Sequence, residues 1–290
     1  MSSQQNPAKK RKSRFAVVFH QLKKNKLAMG GLVVIILLVA LAILAPYIIP
    51  YDYDMQDYSC ILSGSTKEHW LGTDDLGRDI LSRLLYGTRI SLSMGVLIVC
   101  IGASIGILLG SIAGFYGGRV DNVIMRFLDI YQSVPNILLA IAFAAVLGPG
   151  LTSAVTALGI ASFAGYARLI RASILQVRGL EYVDAARVIN ASNINILFKH
   201  VLPNAFSPLI VYITMYIGSS ILAAASLSFI GLGAQAPLPE WGAMLSSGRS
   251  MMRDYPTLVL YPGIMIMITV LAFNLFGDGL RDALDPRLKN

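Results

Sequence analysis

The sequence predicts an all-α membrane protein with six transmembrane helices, and three observations predict it. First, its 290 residues are 55% hydrophobic and only 14% charged, with a mean hydropathy of +0.64, too apolar for the surface of a soluble domain. Second, six uncharged apolar segments, 27–49, 90–115, 131–148, 151–167, 205–230 and 257–276, come close to the roughly 20 residues that a spanning helix needs. Third, the formal net charge of +8 sits at one end of the chain.

Residues 1–26 read as a basic cytoplasmic tail. They hold eight Lys and Arg (Lys9, Lys10, Arg11, Lys12, Arg14, Lys23, Lys24, Lys26) and no acid, and the rest of the chain balances at 16 basic against 16 acidic residues. Such a tail can bind nucleic acid. Here it lies directly before an apolar stretch, where Lys and Arg hold the N-terminus inside, and no nucleic-acid role is expected. The same start imitates a secretory signal peptide, with Ala40 and Ala42 as its small residues, but 27–49 is uncharged throughout and longer than an h-region. It predicts an uncleaved first transmembrane helix in contact with membrane lipid.

The loop 50–89 then falls outside, and its opening Tyr51-Asp52-Tyr53-Asp54 reads as solvated chain. In the second span Gly102, Gly106, Gly110 and Gly114 recur every four residues, stacking on one face and predicting a close helix contact. Residues 116–126 return to the cytoplasm. Arg126 and Asp129 read as an interfacial i, i+3 pair. Gly148-Pro149-Gly150 predicts the sharp turn between the third and fourth spans. The fifth span holds Gly218-Ser219-Ser220 and Ala223 to Ser226, suited to packing or to lining a pathway. Loop 231–256 lies outside and the tail 277–290 inside. Arg119, Arg126, Arg168, Arg171, Arg178, Arg187 and Lys199 all fall on the predicted inner side, as the positive-inside rule requires. Cys60 and Cys100 are the two cysteines, and the position of Cys100 inside a span argues against a mutual disulfide.

Several chemistries lack their residues. A Walker loop needs Gly-Lys, which this chain does not contain, so it cannot supply that ATP site. His20, His69 and His200 are far apart in sequence, and neither a metal site nor catalytic residues are predicted. Gradient-driven carriers usually bury ionisable groups in the bilayer, whereas these span interiors are uncharged, so the driving energy is expected from elsewhere. A membrane enzyme would need convergent His, Asp, Ser or Cys groups, and none is found.

The segment 168–204 is too polar to span and too patterned for a loose loop. Arg168, Arg171 and Arg178 continue the fourth span as a helix. Tyr182, Ala185, Ala186 and Ile189 then repeat at i, i+3, i+4, i+7, and Ile194, Leu197, Phe198 and Val201 repeat likewise, with Ser192 as N-cap and Pro203 as stop. Bulky apolar residues would suit a membrane surface; alanines favour close contact with a protein.

Within it, Glu181-Tyr-Val-Asp184-Ala185-Ala186-Arg-Val-Ile-Asn190, followed by His200-Val-Leu202-Pro203-Asn204, resembles the EAA loop of binding-protein-dependent ABC importer permeases. His69-Trp-Leu-Gly-Thr-Asp-Asp-Leu-Gly-Arg-Asp-Ile, Ser226-Leu-Ser-Phe-Ile-Gly-Leu-Gly and Gly277-Asp-Gly-Leu-Arg-Asp-Ala-Leu-Asp-Pro-Arg agree in order. Together they resemble the C-type permease of the dipeptide, oligopeptide and nickel branch over nearly the whole chain.

The resemblance implies a type I ABC importer transmembrane domain over 90–276 and a coupling loop at 168–204. It implies a homologous second permease, two cytoplasmic ABC ATPase subunits that bind the ATP and Mg, and an extracytoplasmic substrate-binding protein. Peptides are the implied cargo, with nickel or another small solute as the alternative. It makes Glu181, Tyr182, Asp184, Ala185, Ala186, Ile189, Asn190, Leu202 and Pro203 the ATPase-coupling residues. Two positions depart from the family's pattern: Asn190 stands where the family has glycine, and Asp184 replaces its first glutamate. Asn tolerates a left-handed turn best among non-glycine residues, and Asp keeps the charge. His200 falls where the general pattern has isoleucine, although His before Val-Leu-Pro resembles the peptide branch.

Overall fold

A computed structural model describes residues 14–284. Lys9, Lys10, Arg11 and Lys12 of the basic tail, and positions 285–290 of the C-terminal tail, lie outside the described residues. The described chain is all-helical, with one isolated bridge between Thr73 and Asp79. Helix α1 (Arg14–Lys24) leads into α2 (Lys26–Ile48), with Asn25 capping the N–H groups of Leu27 and Ala28. Among the described residues five helices are long and apolar enough to cross a membrane: α2, α3 (Ile80–Tyr116), α6 (Leu151–Val177), α10 (Ser207–Phe229) and α12 (Thr257–Leu284).

The predicted third span departs from one straight helix. Its residues, 131–148, fall on the end of α4 (Gly118–Gln132) and on α5 (Asn136–Leu147), two helices bent by 81° at the break. Pro135 causes the interruption, because its ring excludes helical geometry from Val134 and it has no N–H to donate. Helix α5 alone is about 18 Å long, short of the roughly 30 Å hydrocarbon core, so only the bent pair together has the length of a sixth span. Gly148 (φ 84°) and Gly150 (φ 153°) make the turn into α6.

Helix α3 begins ten residues earlier than the hydrophobic run, at Ile80, where Asp79 caps the N–H of Ser82. At about 55 Å it is longer than a bilayer core is thick. Its four glycines face α6, and the two helices form the most extensive contact in the molecule. A Cβ on Gly106 would lie 2.6 Å from the Phe163 carbonyl oxygen, and one on Gly110 would lie 2.2 Å from that of Ala167.

The loop 50–79 is exposed or half-buried through 50–71, as its opening suggests, and packs inward only over 72–79. Arg78 is buried, donating from Nε to Asp74 at 2.8 Å, and Asp79 accepts from the Ser82 hydroxyl at 2.7 Å. His69 Nδ1 lies 2.9 Å from Asp79, and Tyr53 stacks on Tyr86 at 4.4 Å. Among the described residues no group of three His, Cys, Asp or Glu is arranged to hold a metal.

Loop 231–256 contains α11 (Trp241–Gly248), capped by Glu240 through the Ala243 N–H at 2.9 Å. Trp241 is fully buried and donates its indole N–H to the Leu84 carbonyl, while its backbone N–H reaches Ser91 Oγ. Glu240 is 1% exposed. Burial pushes its carboxyl above the usual range, against hydrogen bonds from the Gly242 and Ala243 N–H groups and the Ser91 and Ser228 hydroxyls. The pair thereby pins α11 to α3 and α10.

Candidate functional site

Helix α6 carries the site, because it continues well beyond residue 167 and three arginines on its extension bind the preceding helices. Arg168 donates to Asp129 at 2.6 Å. Asp129 therefore pairs across to α6, and the expected partnership with Arg126 within α4 is replaced. Arg171 grips Asp121 with two bonds of 2.6 Å, the planar fork that guanidinium and carboxylate form best. Arg178 donates to the carbonyls of Gly114 and Phe115, satisfying acceptors at the end of α3 where a cation is favoured.

Helix α7 (Glu181–Val188) follows at once. Apolar side chains lie all round it: Tyr182, Val183, Ala185, Ala186, Val188 and Ile189. The tertiary fold selects Val183 and Ala186 as the buried pair, packed with Ile170, Ile174, Ile196 and Val201. Ala186 therefore belongs beneath the predicted docking face and not on it. Tyr182, Ala185 and Ile189 remain outward, joined by Val188, which the heptad-like pattern omitted. Asp184 pairs with Arg187 at 2.7 Å on the exposed side, and Glu181 is also exposed.

Asn190 adopts φ 58°, a left-handed residue that ends the helix and turns the chain. Ser192 then accepts from the Asn195 N–H, capping the short α8 (Asn193–Asn195). The chain continues as a π-helical turn, Ile196–Val201, into α9 (Leu202–Ala205). Pro203 consequently lies in the first turn of a helix, where its missing N–H costs nothing, and does not act as the expected stop. Leu197, Val201 and Leu202 are buried; Ile194 and Phe198 point away from the core. The Tyr182 hydroxyl donates to the His200 carbonyl, as does the Asn204 amide, tying the two halves together.

The upper face is left apolar and open: Val188 is 85% exposed, Ile189 78%, Ile194 67% and Phe198 62%. Four large aliphatic or aromatic side chains, raised on a loop whose buried residues share a core with α3, α6 and α10, form an exposed apolar patch.

Residues 106–290 match the family described as binding-protein-dependent transport system inner membrane component, and residues 13–63 match the N-terminal TM domain of oligopeptide transport permease C. The chain belongs to this family of transport permeases and is a multi-pass membrane protein. It is 49% identical over 270 residues to the glutathione transport system permease protein GsiD of Pectobacterium atrosepticum, covering 93% of this chain and 89% of the relative. It is 47% identical over 272 residues to the dipeptide transport system permease protein DppC of Alkalihalophilus pseudofirmus, covering 94% and 90%.

Among solved structures, an inward-facing methionine ABC transporter, MetNI, aligns with TM-score 0.58 at 19% identity, over 70% of this chain and 96% of the other. An amino acid ABC transporter with histidines aligns at TM-score 0.52 and 16% identity, over 68% and 92%. The fold is that of a type I ABC importer transmembrane domain.

Proposed function

We propose that this chain is one of two homologous permease subunits of an ABC importer for dipeptides or similarly small peptides, and that α7 to Pro203 is where a cytoplasmic ATPase engages it. The observation that carries the reading is the open apolar face of Tyr182, Ala185, Val188, Ile189, Ile194 and Phe198, set on a base fixed by three guanidinium anchors. Such a surface transmits force, since a docked partner moving by a few ångströms moves α6, and with it α3, as a body. Ala186 and Leu202 hold the face from beneath, and Asn190 sets the turn.

In this reading the N-terminus and the α7 loop are cytoplasmic. The chain itself catalyses nothing, two partner ATPases bind ATP and Mg, and an extracytoplasmic binding protein delivers the solute. Peptide cargo is inferred from the relatives named for dipeptide and glutathione transport. The test is affinity purification of the tagged protein from its own membranes, with mass spectrometry of all retained proteins and small molecules. Recovery of a second permease, an ATPase and a peptide-loaded binding protein supports the reading. A chain that purifies alone and without ATPase activity, in a detergent that keeps a known importer intact, overturns it.

A further inference from the structure

A groove of about 710 Å³ runs between α2 and the first half of α3, a volume in the range of small-molecule sites, roughly 300–1,000 Å³. Its walls change character along their length. Val39 and Ile43 of α2 and Val96 and Leu97 of α3 enclose one end with exposed aliphatic carbon, while Tyr47 and Arg89 stand at the other. The two polar groups share a level because the chain leaving α2 returns to the start of α3, with the Tyr51 N–H donating to Ser82 Oγ at 3.2 Å. From Arg89 to Leu97 the groove descends about 12 Å into the uncharged part of the helix.

Arg89 immediately precedes the uncharged run 90–115 and so lies at the membrane boundary. It is exposed, and among the described residues no carboxylate lies within salt-bridge distance of it. A guanidinium at that depth needs an anion, and its fork of donors fits a phosphate in bidentate fashion. Tyr47 is suited to the same headgroup level, where aromatic residues with a polar tip concentrate. Below, an aliphatic trough in contact with hydrocarbon fits an acyl chain.

We infer that this groove holds one phospholipid, its phosphate on Arg89 beside Tyr47 and one acyl chain along Val39, Ile43, Val96 and Leu97, with preference for an anionic headgroup. The proposed orientation places it in the outer leaflet; the site itself rests only on the membrane-spanning fold. The preference follows because an anionic headgroup such as phosphatidylglycerol carries no cation beside its phosphate, whereas the choline of a zwitterionic lipid repels the unpaired guanidinium.

The test uses the protein purified with its copurifying subunits and placed in nanodiscs with a small fraction of photoactivatable phosphatidylglycerol carrying a diazirine in one acyl chain. Labelled positions are mapped by mass spectrometry, a readout independent of transport. Label should concentrate in 39–47 and 92–97, fall about five-fold in Arg89→Gln, survive in part in Arg89→Lys, and be weaker with the matching phosphatidylcholine probe. Should Arg89→Gln fail to assemble, the comparison of the two probes on wild-type protein carries the test. Label absent from both segments, or equal label from the two probes, overturns the inference.

Discussion

Enclosed by Trp241, Ser91 and Ser228, the Glu240 carboxyl binds its proton more tightly in the folded protein than in the unfolded chain, because burial disfavours the charge. A group whose folded pKa is raised contributes stability that is fully present below its ordinary value, and that contribution is lost as pH rises through the raised one. The melting temperature of the wild-type protein in nanodiscs should therefore fall as the pH is raised above the ordinary glutamate range, and Glu240→Gln, which mimics the protonated form, should flatten that fall. Parallel pH profiles for the two proteins would contradict this account of Glu240. Arg171 supplies the second test at this scale. Arg171→Lys keeps the charge but loses the bidentate grip on Asp121. Since Arg171 is partly exposed, the cost to stability should be modest, about 1 kcal/mol; the larger effect should be on uptake, measured alongside thermal stability, because the anchor of the α7 loop loosens.

The glycine face of α3 and the loop that follows α6 behave differently as elements, and their legibility in the sequence differed for the same reason. Four glycines at four-residue spacing have one phase, so the face was readable, and the structure supplies its partner, α6. Gly110→Val should cost about 1–3 kcal/mol through overpacking against Ala167 and Ile170 and lower the yield of folded protein. Gly30→Ala, where an added Cβ meets nothing within 4 Å, should leave thermal stability unchanged or raise it slightly through helix propensity; a loss at both positions would deny that the α3–α6 contact depends on close approach. Helix α7 is two turns long with apolar residues on every side, so periodicity alone could not separate the buried Val183 and Ala186 from the exposed Val188 and Ile189. That choice is made by the core beneath it. The break at Pro135 was hidden because hydropathy sums over a window and is blind to a missing N–H. The ion pairs of Arg168 and Arg171 to Asp129 and Asp121 join residues 39 and 50 positions apart. The acids on α4 were visible in the sequence, but their partners across that separation were not.

As a whole, the molecule is an α3–α6–α10 frame pinned at one end by Glu240 and Trp241 and at the other by the arginine anchors of α6, with α2 and α12 packed on one side. Uncharged spans and a raised apolar loop make sense together if work enters through that loop and passes along α6 into the frame. The most direct test of this claim is uptake of a radiolabelled dipeptide into vesicles loaded with ATP, comparing wild type with Ile189→Asp in the assembled importer. Ile189 is exposed and supports no buried core, so the subunit should reach the membrane in normal amount and keep its thermal stability, while ATP-dependent uptake falls at least ten-fold. Uptake that continues at the wild-type rate in Ile189→Asp would contradict the assignment of α7 as the coupling surface.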